Sequence, residues 1–99
     1  MIARIWHGET SLENADHYLT FLKMRAMPDY RATPGNLGAF VLRRLDGDRA
    51  HFITLSYWAS EGAIRGFAGE DIARAKYYDE DGAFLLGFEE EVQHFELYT

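Results

Sequence analysis

Residues 2–7 divide by parity into Ile2, Arg4 and Trp6 against Ala3, Ile5 and His7, the two-residue period of a strand, and Gly8 ends the run. Leu12, Ala15, Leu19, Leu22 and Ala26 then recur at steps of three and four, which puts them on one face of a helix, and Tyr18 widens that stripe. Thr10 and Glu13 have capping-box spacing, and Pro28 disfavours helical backbone in the residue before it, so the pattern predicts a helix over 10–27. Residues 28–37 contain Pro34-Gly35 and read as a loop, with Tyr30 and Arg31 its bulky groups.

Two runs rich in aliphatic and aromatic residues follow, 39–45 and 50–58, on either side of Asp46-Gly47-Asp48. Asp-Gly favours the type I′ turn, whose central residues both need φ > 0, so the runs read as a hairpin, expected at the centre of the sheet. In its second strand His51, Ile53, Leu55 and Tyr57 alternate with Phe52, Thr54, Ser56 and Trp58. Ser60 as N-cap and Glu61 in the first turn open a second helix over 60–68, with Ala63, Ile64 and Phe67 inward and Gly69 at its end. A shorter helical turn is expected over 70–78, a break at 79–82 and an irregular or helical turn at 83–88. Val92, His94, Glu96 and Tyr98 alternate with Gln93, Phe95 and Leu97, which predicts a last strand over 91–98.

Strand, helix, strand, strand, helix, strand is the split βαβ order. The expectation is an α+β, ferredoxin-like βαββαβ domain over residues 1–99, with two helices on one face of a four-stranded antiparallel sheet. The apolar odd-numbered sets of the first, third and fourth strands are expected to face the helices. The other face would then carry Ile2, Trp6, Phe52, Trp58 and Tyr98 beside Arg4, Thr54, Ser56, His94 and Glu96. Such a face is too apolar to leave in water, so a homodimer with sheets packed face to face is expected.

Composition narrows the partners. Sixteen acids against ten bases leave a net charge of −6, which disfavours nucleic acid and anionic membranes. The absence of cysteine removes disulfides, thiolate metal sites and cysteine nucleophiles. No signal-peptide pattern opens the sequence and no apolar run approaches the roughly 20 residues of a membrane span, so a cytoplasmic location is expected. No phosphate loop, dinucleotide fingerprint or serine elbow is present. No two histidines have an i, i+4 ligand spacing, so no metal site is expected.

LSYWAS at the end of the third strand, AIRGF in the second helix and VQHFELY in the last strand resemble the antibiotic biosynthesis monooxygenase domain family of the dimeric α/β-barrel superfamily. The resemblance covers nearly the whole chain. It implies the ferredoxin-like fold, a homodimer, and a substrate held between the sheet and the helices of each protomer. Members include cofactor-independent monooxygenases of polyketide phenols and heme-degrading monooxygenases. The heme-degrading members use an asparagine late in the first strand, a tryptophan in the second helix and a histidine ligand after it. By position these match His7, Phe67 and Tyr77, so none is kept, and heme ranks lowest among the readings. Trp58 and Tyr77 match the aromatic types used by the phenol monooxygenases, without a matching asparagine.

The lead reading is a monooxygenase on an aromatic or quinone-like substrate, needing no cofactor, in which a deprotonated phenol reacts directly with O₂. His7 is the candidate base and Tyr77 the candidate hydrogen-bond donor, with Tyr57, Trp58, Phe67, Tyr78, Phe84 and Phe88 as the ligand-contacting wall. Each also has a purely structural reading: a hydrogen-bonded histidine, packed tyrosines, an aromatic core. The alternative function is a non-catalytic dimeric binder of a small hydrophobic ligand. The glycine-rich second helix, with Gly62 and Gly66, suggests that the space between sheet and helices is incompletely filled.

Overall fold

The computed structural model describes residues 1–99. Strand β1 spans Ile2–Ser11, β2 Asn36–Asp46, β3 Arg49–Trp58 and β4 Gln93–Glu96. They form one antiparallel sheet in the order β2-β3-β1-β4. Helices α1 (Ala15–Phe21), α2 (Met27–Ala32) and α3 (Glu61–Ala68) pack on one face of it. This is the α+β ferredoxin-like arrangement. The hairpin is not its centre, however: β2 is an edge, and the middle pair is β1 with β3.

β1 runs four residues beyond its expected end because Gly8 to Ser11 keep pairing with Phe52 to Arg49. The following helix is therefore capped by Ser11, whose hydroxyl accepts from the Asn14 N–H at 3.3 Å, and not by Thr10, which is fully buried in the sheet. A 3₁₀ turn (Leu12–Asn14), α1, a π-helical turn (Leu22–Ala26) and α2 then follow one another without a break. Pro28 does not stop this rod. Met27 donates to the Leu22 carbonyl five residues back, and the proline falls in the first turn of α2, where a missing N–H costs little. The expected loop over 28–37 shrinks to a turn ahead of Asn36, with Gly35 at φ 89.

In the hairpin turn Gly47 has φ 62 while Asp48 stays negative, the pattern of a type II′ turn and not the expected I′. α3 begins as expected, with the Ser60 hydroxyl accepting from the Ala63 N–H at 3.2 Å, and ends at Gly69 with φ 95. The helical turn expected over 70–78 does not form, and 83–88 is irregular, one of the two forms expected there. Residues 70–92 are instead an irregular segment with one 3₁₀ turn, Asp79–Ala83. The isolated bridge Thr10↔Leu85 ties it to β1, and Arg74↔Glu91 joins its two ends. Beyond Ile5 this segment takes over from the short β4 as the neighbour of β1, with the Leu86 N–H donating to the Glu9 carbonyl at 3.0 Å.

The two faces of the sheet are the reverse of the sequence expectation. Arg4, Trp6, Thr10, Phe52, Thr54, Ser56 and Trp58 point into the core, and Ala3, Ile5, His7, Ile53, Leu55 and Tyr57 point away from the helices. Both faces are apolar enough to serve, so alternation alone does not choose between them. The choice falls on the face whose polar groups find partners. Tyr30 and Thr54 join hydroxyls at 2.9 Å, Trp58 Nε1 donates to Ser56 Oγ at 2.9 Å, and Arg4 donates to the carbonyls of Ile72 (2.6 Å) and Arg74 (3.0 Å). No buried side-chain nitrogen or oxygen is left unpaired. His94 also turns inward, with Nε2 3.0 Å from the Arg4 guanidinium, and burial together with that charge lowers its pKa.

Candidate functional site

The space between rod and sheet is floored by Trp6 and Thr54, walled by Tyr18, Leu22, Ala26 and Tyr30, and covered by Tyr77, Tyr78 and Asp81. Tyr18 follows Ala15 by three residues and precedes Leu22 by four, so the helical repeat that buries those two aims its ring at the sheet. Gly8 lets the Trp6 indole lie flat along β1: a Cβ there would stand 2.4 and 2.6 Å from the indole carbons. Aromatic edges close the space. The ring of Tyr18 meets Phe52 at 5.0 Å, Phe84 at 5.6 Å and Trp6 at 6.4 Å, and Trp6 meets Tyr77 at 6.1 Å.

Polar atoms converge on this apolar space. Tyr18 donates to Asp81 Oδ1 at 2.9 Å, and the Tyr78 N–H donates to Asp81 Oδ2 at 2.7 Å. Trp6 Nε1 donates to the Tyr77 hydroxyl at 3.1 Å, which in turn donates to the Glu89 carbonyl at 2.6 Å. Tyr78 and Lys76 both donate to Asp29 Oδ2, at 2.5 and 2.9 Å, and the Lys76 ammonium sits 4.3 Å from the Phe67 ring centroid. Asp81 is only 3% exposed, and burial pushes its carboxyl above the usual range despite those two hydrogen bonds. Burial, reinforced by the Asp81 charge, pushes the Tyr18 phenol far up, so it stays a proton donor. Tyr78 is raised by burial and by its bond to Asp29. Tyr30 and Tyr77 are raised chiefly by burial.

The cavity that remains is about 10 Å³, room for roughly one water. The expected incomplete filling is therefore absent.

The residues singled out from the sequence separate into three groups. Tyr77 and Tyr78 line the space. Trp58, Phe67 and Phe84 are core packing behind it, with Phe67 5.4 Å from Trp58 and 4.3 Å from Tyr30, while Phe88 is an exposed ring set edge-on to Tyr77 at 4.8 Å. His7 and Tyr57 lie on the opposite face of the sheet, Tyr57 against Phe40 and His7 with Nδ1 3.0 Å from Glu89 Oε1. His7 and Tyr77 both reach Glu89, one its side chain and the other its carbonyl, but from opposite sides of β1.

Asp81, Trp6, Tyr18 and Tyr30 were missed as site residues. Tyr18 carried a signal, its place in the apolar stripe of α1. Asp81 carried none, because a 3₁₀ turn buries one member of an acidic run that otherwise reads as solvated.

No family model matches the chain, and no curated protein matches it. Its fold is that of the crystal structure of a MhuD mutant with two manganese protoporphyrin IX bound per active site. The TM-score is 0.61, at 19% identity over 100% of this chain and 96% of that chain. At that identity the likeness is one of fold. No helix of the chain is long and apolar enough to cross a membrane.

The lining residues do not fit a heme. No histidine lines the space, and the phenol oxygens of Tyr18, Tyr30, Tyr77 and Tyr78 are all engaged in hydrogen bonds, which leaves no free axial ligand.

Proposed function

We propose that this chain binds a small planar aromatic molecule between its helices and its sheet, and oxidises it as a cofactor-independent monooxygenase. The observation that carries the reading is the convergence of Trp6, Tyr18, Tyr77, Tyr78 and the buried Asp81 carboxyl on one aromatic-walled space. Entry requires residues 70–92 to move outward. No strand ladder holds this segment; one bridge to β1 and side-chain bonds such as Tyr18–Asp81 and Tyr78–Asp29 hold it, and these must open for entry.

Asp81 replaces His7 as the proton acceptor, because it is the carboxylate inside the space and its raised pKa brings it toward that of a useful base. Deprotonation of an electron-rich phenol gives a phenolate that reacts with O₂. A ring C–H becomes C=O, the second oxygen atom leaves as water, and phenol plus O₂ gives quinone plus water, with the substrate itself as reductant. The protein contributes desolvation and orientation, and outward movement of residues 70–92 parts Tyr77 from Trp6, which frees the indole N–H for a substrate oxygen.

The unit of function is proposed to be a homodimer through the open face of the sheet. Phe40 and Leu42 are about half exposed there, beside Ile5, Ile53, Leu55 and Phe95, an apolar patch of the kind that marks an interface. It is the same sheet-to-sheet packing expected from the sequence, with the other set of residues.

Oxygen uptake with a panel of hydroxynaphthalenes and hydroxyanthrones tests the reading. Turnover should fall about 10²–10⁴-fold in Asp81→Asn while ligand binding persists. Tight binding of these phenols with no O₂ uptake would replace the monooxygenase with a binding module. Neither binding nor uptake would remove the site.

A further inference from the structure

On the opposite face of the sheet, β1 and β3 bring together three metal-type donors. His7 and Glu9 are two apart on β1 and so share a face, and Glu9 pairs directly across with His51 on β3. His7 Nε2 lies 3.3 Å from His51 Nδ1, and His51 Nδ1 lies 3.6 Å from Glu9 Oε1. All three donor atoms fall within 4.8 Å of one another. We propose that His7, Glu9 and His51 form a binding site for a divalent first-row transition metal ion of the zinc class.

The distances suit such an ion. Bonds of about 2.0–2.1 Å in a tetrahedral site imply donor-to-donor edges of about 3.3–3.4 Å. The His7–His51 and His51–Glu9 separations, 3.3 and 3.6 Å, are close to that edge. Two imidazoles facing nitrogen to nitrogen share at most one proton between them, and a metal ion satisfies both lone pairs. The outward nitrogen of His7 is also placed as a metal-binding histidine requires. His7 Nδ1 has Glu89 Oε1 at 3.0 Å, the carboxylate–histidine–metal pattern, and the Asp46 carboxylate stands 3.6 Å from His51 Nε2, beyond hydrogen-bond length. Arg49 competes only weakly, at 4.0 Å from Glu9. All three donors ride on paired strands, so little ordering is needed on binding.

Three protein ligands leave a fourth position for water or substrate. It opens onto a depression of about 230 Å³ lined by Gly8, Arg49, Leu86, Phe88 and Glu89. The two histidines are 44 residues apart, so ligand spacing along the chain does not reveal them; the cross-strand register does.

The test is calorimetric titration of tag-free, chelator-treated protein with Zn²⁺ at pH 7.5, followed by Co²⁺ substitution and visible absorption. Saturable binding of one Zn²⁺ per chain is expected, with ligand-field bands for Co²⁺. His51→Ala and Glu9→Gln should each weaken Zn²⁺ more than 10-fold. Glu89→Gln should weaken it about 10–100-fold as an outer partner. His17→Ala, on the exposed side of α1, should leave it unchanged. Far-UV circular dichroism checks each variant, and Glu9→Gln serves alone if His51→Ala fails to fold. No saturable binding, or affinity retained in every folded variant at this cluster, overturns the proposal.

Discussion

Removing one hydroxyl tests whether the buried carboxylate network holds the covering segment in place. In Tyr18→Phe the ring stays packed among Phe52, Phe84 and Trp6, and only the 2.9 Å bond to Asp81 is lost. Asp81 then keeps the Tyr78 N–H as its single partner in a site 3% exposed. A hydrogen bond to a charged group is worth about 1.5–3 kcal/mol, so that loss is expected at pH 7. With a urea m-value of about 1–1.5 kcal/mol/M for a domain of this size, the midpoint falls by about 1–3 M. The loss should shrink under acid. The folded carboxyl already titrates above its unfolded value because burial disfavours the charge, and the substitution raises it further. Protonation in the folded state removes most of the penalty, so wild type and variant should converge as pH falls below the folded pKa. The assay is urea unfolding followed by tryptophan fluorescence at pH 7 and pH 4. An equal loss at both pH values would refute the electrostatic part of the argument, and no loss at pH 7 would refute the network itself.

Three further outcomes are expected. Gly8→Ala should cost about 1–3 kcal/mol, read as a fall in Tm, because the new methyl must displace the Trp6 indole and meet Leu85 Cδ2 at 3.1 Å. Asp29 is pushed up by burial, but its bonds from Tyr78 and Lys76 outweigh that and hold it below the usual carboxylate range. Its stabilisation is therefore present above the unfolded pKa and lost as pH falls through the folded one, so Asp29→Asn should flatten the acid limb of the stability curve in denaturant titrations. Leu55→Arg, a charge on the open face, should give monomers by light scattering with an unchanged circular dichroism spectrum.

Element order was legible because each element carries its own period or cap: the stripe of α1, Ser60 ahead of α3, the glycine turn of the hairpin. The face of the sheet was not. Thr54, Ser56 and Arg4 look like outward residues until Tyr30, Trp58 and the carbonyls of 72 and 74 are seen to satisfy them. That inversion moved His7 out of the site and brought Trp6 into it. The run through Pro28 was hidden because a π turn has no sequence signature of its own. Residues 70–92 hold their shape through contacts with β1 and the rod, so no local pattern could describe them, and Asp81 went with them.

Native mass spectrometry of the protein purified from its own host tests the central claim most directly. The account predicts a dimer carrying a small aromatic adduct on each chain. A bare monomer, or a dimer without an adduct, would contradict it.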